Sequence, residues 1–362
     1  MQAHTSLRVA AVRDLGPQFT QNPHQMIGQD GAYSIPMGSQ TLWFFGDTLI
    51  GKRVPGESLW YPGGKPVGHS DMSGKGTIRR MLNNTGLLLA DHDASHGLRS
   101  YRYLCDAGGE LRCLIPLDET EDPDWDRIWC LHGIAPGKRM ILSFIKVRML
   151  EDGPFPVNFD IVGSGLAAGS ADSLTFTRIE RNGSSILWGA SDPHFASTFL
   201  HDAGSRMVYA YGARHDGAGG QDCYIARVAA ESVDDPDAYE YLVTPAPDWS
   251  RDVSRAIPAL SGMPNELSVS YNKHLGCYLA VHSFLLSGEI VGRTAPHPWG
   301  PWSEPVTLWK VKPVREKPLP YPPLVYAGKE HPELGRDDGR VLYLTYVEFE
   351  EYFPHLIEVT IA

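Results

Sequence analysis

Short apolar runs, rich in aromatic residues and cut off by glycine or proline, recur along the whole chain. No stretch of sustained helical spacing interrupts them. Short apolar runs bounded by turn-forming residues read as β-strands. The 37 glycines and 28 prolines are spread along the chain rather than gathered into a linker. They therefore punctuate strands throughout and mark no domain boundary. The best helical candidate is brief: residues 235–241, with Asp235 as N-cap and Pro236 in the first turn. The pattern predicts an all-β chain.

The strand candidates form groups. Residues 40–48 and 85–90 make the first, and residues 126–132, 139–149 and 172–179 the second. Residues 196–200, 206–212 and 221–228 make the third, and residues 266–271, 276–282 and 288–295 the fourth. Residues 340–347 and 355–361 make the last. Groups three and four share a plan: a first strand, a polar turn, an aromatic-rich second strand, then a third. That plan suits a blade of antiparallel strands, and its recurrence predicts a five-bladed β-propeller. It would be a single domain over residues 1–362, with the N-terminal segment closing the last blade. A two-sheet sandwich is the competitor, but it leaves one face of each sheet wet. Runs such as Leu42-Trp-Phe-Phe and Val208-Tyr-Ala-Tyr are apolar on both faces, as strands stacked between neighbouring blades must be.

Charge narrows the partners. The 32 Lys and Arg against 43 Asp and Glu leave a net charge of −11, which argues against nucleic acid and anionic membranes. No apolar run approaches the roughly 18 residues of a membrane helix. The N-terminus lacks the basic start and apolar run of a secretory signal, so a cytoplasmic protein is expected, or a secreted one whose leader has been removed. The five cysteines, Cys105, Cys113, Cys130, Cys223 and Cys277, form no Cys-x-x-Cys pair and read as small buried side chains. Phosphate-loop, His-Glu-x-x-His and calcium-loop motifs are lacking, so neither metal nor cofactor is expected. Gly163-Ser-Gly lacks the spacing of a nucleophile elbow.

In a propeller the innermost strands converge on an axis, and their ends build a funnel. Carboxylates at such ends are the residues to weigh. Asp30 precedes the first clear strand, although Asp-Gly is also a strong turn dipeptide. Asp47 stands where the apolar run Leu42-Trp-Phe-Phe emerges; it could bind turn amides or face the cavity. Glu266 opens a strand despite the low strand preference of glutamate, and its alternative is an exposed edge charge. Trp129, His132, Arg214, His282 and His331 are the substrate-binding candidates, with Trp60 and Tyr61 as further stacking rings. Asp192 and Glu330 read more simply as turn or solvated residues.

Together these segments resemble a former domain-of-unknown-function family, distantly similar to five-bladed propeller glycoside hydrolases, some of whose members are endo-D-arabinanases. The matching pieces are Asp30-Gly-Ala-Tyr-Ser, Gly38-Ser-Gln-Thr-Leu-Trp-Phe-Phe-Gly-Asp-Thr and Asn83-Asn-Thr-Gly. Further on come Tyr209-Ala-Tyr-Gly, Ile225-Ala-Arg-Val, Tyr239-Glu-Tyr and Asn265-Glu-Leu-Ser-Val-Ser-Tyr. Gly288-Glu-Ile-Val-Gly-Arg-Thr-Ala and Gly300-Pro-Trp-Ser-Glu-Pro complete the set, whose order is kept over nearly the whole chain. The resemblance implies acidic residues in an axial funnel, Asp30 and Asp47 from the first blade, with Glu266 added by similarity to other five-bladed glycosidases. It implies cleavage of a polysaccharide or oligosaccharide, an arabinan-type furanoside favoured, by carboxylate acid/base catalysis. A non-catalytic carbohydrate-binding or scaffolding propeller is the alternative. Residues 50–80 and 150–200 match the family poorly, and substrate loops are expected there.

Overall fold

The computed structural model describes residues 6–68, 78–136, 139–151, 158–217, 220–312 and 319–362. The chain forms a five-bladed β-propeller of antiparallel sheets, joined by a three-stranded side sheet. Blade 1 is built from Tyr33–Met37, Gln40–Phe45, Thr85–Leu89 and Tyr101–Tyr103. Blade 2 runs Asp126–Ile134, Arg139–Met149, Phe159–Ser170 and Phe176–Arg178. Blade 3 opens with His194–Asp202, Met207–His215 and Gln221–Ala229 and ends in Glu240–Thr244 and Asp248–Ser250. Blade 4 is Ser268–Asn272, Cys277–Phe284, Glu289–Ala295 and Val306–Lys310. Blade 5 combines Val325–Glu330, Val341–Glu348 and Pro354–Ile361 with the N-terminal Val9–Pro17, which pairs antiparallel with Pro354–Ile361. The first strand of each blade lies innermost, and consecutive inner strands are neighbours. Ser34 and His331 join the last blade to the first across a 2.7 Å hydrogen bond.

Five apolar layers fill the spaces between blades, and they explain the doubly apolar runs. Leu42 and Phe44 pack with Ile128, Leu142 and Phe144 of blade 2. Trp43 and Phe45, pointing the other way, pack with Tyr343 and Leu356 of blade 5. Alternate residues of one strand therefore enter two different cores. Leu166 meets Phe195 and Val208 between blades 2 and 3, and Tyr211 meets Leu267 and Ala280 between blades 3 and 4. Leu279 and Ile290 meet Leu342 and Ile357 between blades 4 and 5. All five cysteines are free, and Cys130, Cys223 and Cys277 are buried among these layers.

Two local expectations change. The helical candidate is a single 3-10 turn, Pro236–Ala238, capped by the Asp235 carboxylate accepting the Asp237 N–H. The third strand of blade 2 is Phe159–Ser170, and the segment expected there supplies only the short outer strand Phe176–Arg178. The strand was hidden by its composition, FDIVGSGLAAGS, which reads as loop. The glycines have a packing reason: a Cβ at Gly163, Gly165 or Gly169 would stand 2.4, 2.3 or 2.5 Å from a backbone carbonyl oxygen of a neighbouring segment. Parts of the two expected loop regions, residues 69–77 and 152–157, lie outside the described residues.

Candidate active site

Two cavities lie along the inner strands. One, about 250 Å³ in volume, takes Asp30 and Tyr33 from the entry to blade 1, Trp129 and Leu131 from blade 2, and Tyr326 from blade 5. Asp47, Arg127 and Glu266 also line it. Ser34, His132, Thr198, Ser268 and Lys329, one from each inner strand, line the second cavity, of about 470 Å³. The three carboxylates read from the sequence thus come together in one pocket, from segments far apart in the chain.

Backbone pairing positions the first two. The Asp30 N–H donates to the Asp47 carbonyl at 2.9 Å, and the Gly46 N–H donates to the Asp30 carbonyl at 2.7 Å. The turn that carries Asp47 is thereby fastened beside Asp30. Gly46 suits this approach, because a Cβ there would stand a tight 3.1 Å from Asp30 Oδ2. The Tyr326 hydroxyl donates to Asp30 Oδ1 at 2.6 Å. Asp47 is buried, with its Oδ1 4.0 Å from Nε of Arg127. That guanidinium is 1% exposed and is held by the carbonyls of Pro123 at 2.6 Å and Asp126 at 2.9 Å. Arg127 Nε and Trp129 Nε1 are buried donors beside Asp47.

The surroundings separate the proton affinities. Burial pushes Asp30 up to about 8, against the Tyr326 hydrogen bond, and the charges of Asp47 and Glu266 add to the rise. Burial pushes Asp47 only to about 6, because Arg127 and Trp129 draw it back. Burial also raises Glu266, while Lys329 pulls it down. Near neutral pH one carboxyl keeps its proton and its neighbour is mostly ionised. That is the arrangement acid/base chemistry needs.

Aromatic rings frame the pocket. Trp129 meets Phe159 edge to face at 4.9 Å, and Trp60 stacks on Phe349 at 4.8 Å. Trp60 and Phe159 come from the two poorly matching regions.

Of the substrate-binding candidates Trp129 lines this pocket, and His132, Arg214, His282 and His331 lie elsewhere. His132 and His331 belong to the second cavity. His132 Nδ1 accepts the Phe199 N–H at 3.0 Å. His331 is bonded at 2.7 and 2.8 Å to the hydroxyls of Ser34 and Thr345 and stacks on Trp43 at 4.2 Å. Burial lowers His331 to about 3 and His132 well below its ordinary value. His282 lines neither cavity: Nδ1 bonds the Ser283 carbonyl at 2.7 Å, and Nε2 accepts from Arg293 at 3.3 Å. Arg214 lies over the Tyr224 ring at 4.4 Å and bonds the same residue's hydroxyl. Glu330 is buried, accepts the Ser270 hydroxyl at 2.8 Å and lines the second cavity.

Sequence reasoning missed Arg127, Tyr326 and Lys329. Arg127 had a usable signal, standing two residues before Trp129 in a strand run. Val325–Glu330 reads VYAGKE, with too little apolar alternation to mark an inner strand.

This ring of antiparallel blades is a fold that the chain shares with solved structures of low sequence identity. The chain belongs to the family described as domain of unknown function DUF4185, whose model matches residues 16–358. Among solved structures it is similar to a candidate hydrolase from Bacteroides ovatus, at 15% identity and TM-score 0.63, covering 94% of this chain and 87% of that one. It is also similar to an exo-β-1,3-galactanase from Phanerochaete chrysosporium, at 12% identity and TM-score 0.53, covering 97% of this chain and 66% of that one. An endo-arabinase from Bacteroides thetaiotaomicron matches at 10% identity and TM-score 0.50, covering 94% and 96%. No curated protein matches the chain. Among the described residues no helix is long and apolar enough to cross a membrane.

Proposed function

We propose that this protein hydrolyses glycosidic bonds, with Asp30 and Asp47 as the catalytic pair and Glu266 as the third carboxylate of the site. The observation that carries this reading is the meeting of three acidic side chains in one axial pocket, two of them fastened together through their backbones. Asp30 holds its proton and delivers it to the leaving-group oxygen. Asp47, kept more acidic by Arg127, activates water or attacks the anomeric carbon. Glu266 and Asp47 favour the protonated form of Asp30 by charge repulsion. Trp129 offers an apolar face to a sugar ring.

The substrate we favour is an arabinan-type furanoside polymer. The similarity of the fold to an endo-arabinase supports this choice, and the exo-galactanase match keeps other polysaccharides in the test. Purified protein is incubated with a panel of polysaccharides, arabinans included, and products are separated by chromatography. Release of oligosaccharides or monosaccharides from at least one polymer is expected. Binding of a polymer without any product would replace the hydrolase with a carbohydrate-binding propeller.

A further inference from the structure

Residues 53–67 belong to the connection between Thr48–Gly51 and Ile78–Leu82 of the side sheet. Hydrogen bonds fasten them to the turn of blade 5 that joins Val341–Glu348 to Pro354–Ile361. Arg53 Nε donates to the Ile27 carbonyl at 2.9 Å, and its terminal nitrogens donate to the carbonyls of Glu350 and Glu351. One oxygen of the Glu350 carboxylate accepts the Leu59 N–H at 2.7 Å. The other accepts the Ser58 hydroxyl at 3.0 Å and also takes the Tyr321 hydroxyl. Trp60 Nε1 donates to the Phe349 carbonyl at 2.7 Å, and the Trp60 and Phe349 rings stack with their planes 12° apart. The Tyr352 ring meets Trp60 edge on at 4.9 Å. Ser58 Oγ accepts the N–H groups of Trp60 and Tyr61 at 3.3 and 3.0 Å, and the Val67 N–H closes the loop on the Trp60 carbonyl at 2.8 Å.

Trp60 and Val67 of this loop line the acidic pocket, together with Phe349 and Tyr352 of the turn. Trp60 is 5% exposed, and its N–H and one ring face are committed to blade 5. What it offers the pocket is apolar ring surface held in one place. Residues 55–59 read PGESL, which has no alternation that would order it alone. The order comes from across the gap, through a carboxylate that receives an amide and two hydroxyls, and hydrogen bonds to an ionised acceptor are the stronger kind.

We propose that residues 53–67 form a fixed wall of the substrate pocket, and that Glu350 is the positioning residue that holds this wall and thereby sets how tightly a sugar chain is bound. The proposal deepens the hydrolase reading above and rests on it. Glu350 itself does not line the pocket; it acts through the turn of Ser58 and Leu59 that delivers Trp60. Packing against an apolar wall is the same before and during bond cleavage, so it enters KM and leaves kcat in place.

The test compares wild type with Glu350→Ala, Glu350→Gln, Trp60→Ala and the Trp60→Ala/Glu350→Ala double variant, in the full chain and on the best substrate of the polysaccharide panel. Glu350→Ala should raise KM about 10-fold with kcat nearly unchanged. Glu350→Gln keeps an acceptor for the Leu59 N–H and should stay close to wild type. The double variant should match Trp60→Ala, because Glu350 acts only through the wall. A fall in kcat at unchanged KM, or effects on KM that add up in the double variant, would overturn the proposal. If Glu350→Ala fails to fold, Ser58→Ala carries the same test, since it removes the hydroxyl that links the Glu350 carboxylate to the Trp60 N–H: a raised KM supports the proposal, and a wild-type KM overturns it. If wild type cleaves nothing, the hydrolase reading falls by itself. The wall is then read by amide hydrogen exchange over residues 57–67. Exchange about 10-fold faster in Glu350→Ala or Ser58→Ala than in wild type supports the fastening, and unchanged exchange overturns it.

Discussion

Asp30 and Asp47 are the same residue type, joined by backbone hydrogen bonds, yet one is pushed to about 8 and the other to about 6. The difference is the cation at Asp47 and the two acidic neighbours of Asp30. Hydrolysis should therefore follow a bell-shaped pH profile of kcat/KM, with limbs near pH 6 and pH 8. Asp30→Asn and Asp47→Asn should each reduce kcat by about 10³-fold or more, measured on the best substrate from the polysaccharide panel. Near-full activity in either variant would remove that residue from the catalytic pair. Their stabilities should diverge. Burial raises Asp30 above its unfolded value of 3.8, so the folded chain binds the extra proton and stability falls as pH rises from about 4 to about 8. Asp30→Asn abolishes this dependence, and thermal melts should give it a Tm at or above wild type at pH 8, with the gap closing toward pH 4. Asp47→Asn removes the counter-charge from the buried Arg127 and should melt below Asp30→Asn at neutral pH.

At the scale of the strand, the readable signal was apolar alternation and its failure was tight packing. Leu42-Trp-Phe-Phe announced a strand covered on both faces because each face meets a different apolar layer. Phe159–Ser170 and Val325–Glu330 carried no such signal, since close approach of neighbouring segments demands small residues there. Gly328 is a clear case: a Cβ would stand 2.7 Å from the Ser283 nitrogen and 3.0 Å from the His282 carbonyl carbon, both on blade 4. Gly328→Ala should force blade 5 away from blade 4 and cost about 1–3 kcal/mol, read by denaturant unfolding. It should also reduce activity, because Tyr326 lies on the same strand. A variant with wild-type stability would show that the two blades can part without penalty.

At the scale of the ring, blade 5 takes its outermost strand from the start of the chain. Val9–Pro17 covers the edge of Pro354–Ile361, and Arg13 bonds Glu358 at 2.9 Å across the pair. Removing residues 1–17 should leave that edge unpaired, lower the Tm by several degrees and promote association, checked by calorimetry and light scattering. Unchanged melting would mean that the ring closes without this strand. Strand-rich character and the blade plan were legible in the chain, because period-two apolar patterning and turn residues are local properties. The position of His132 along the axis was not, because whether an inner-strand residue faces one end of the axis or the other depends on how far along the strand it sits once the blades close. Arg127, Tyr326 and Lys329 matter only through distances to residues hundreds of positions away or on other blades. Proton affinity at the axis is set by burial and by charges brought together across the ring, and neither exists until the five blades meet.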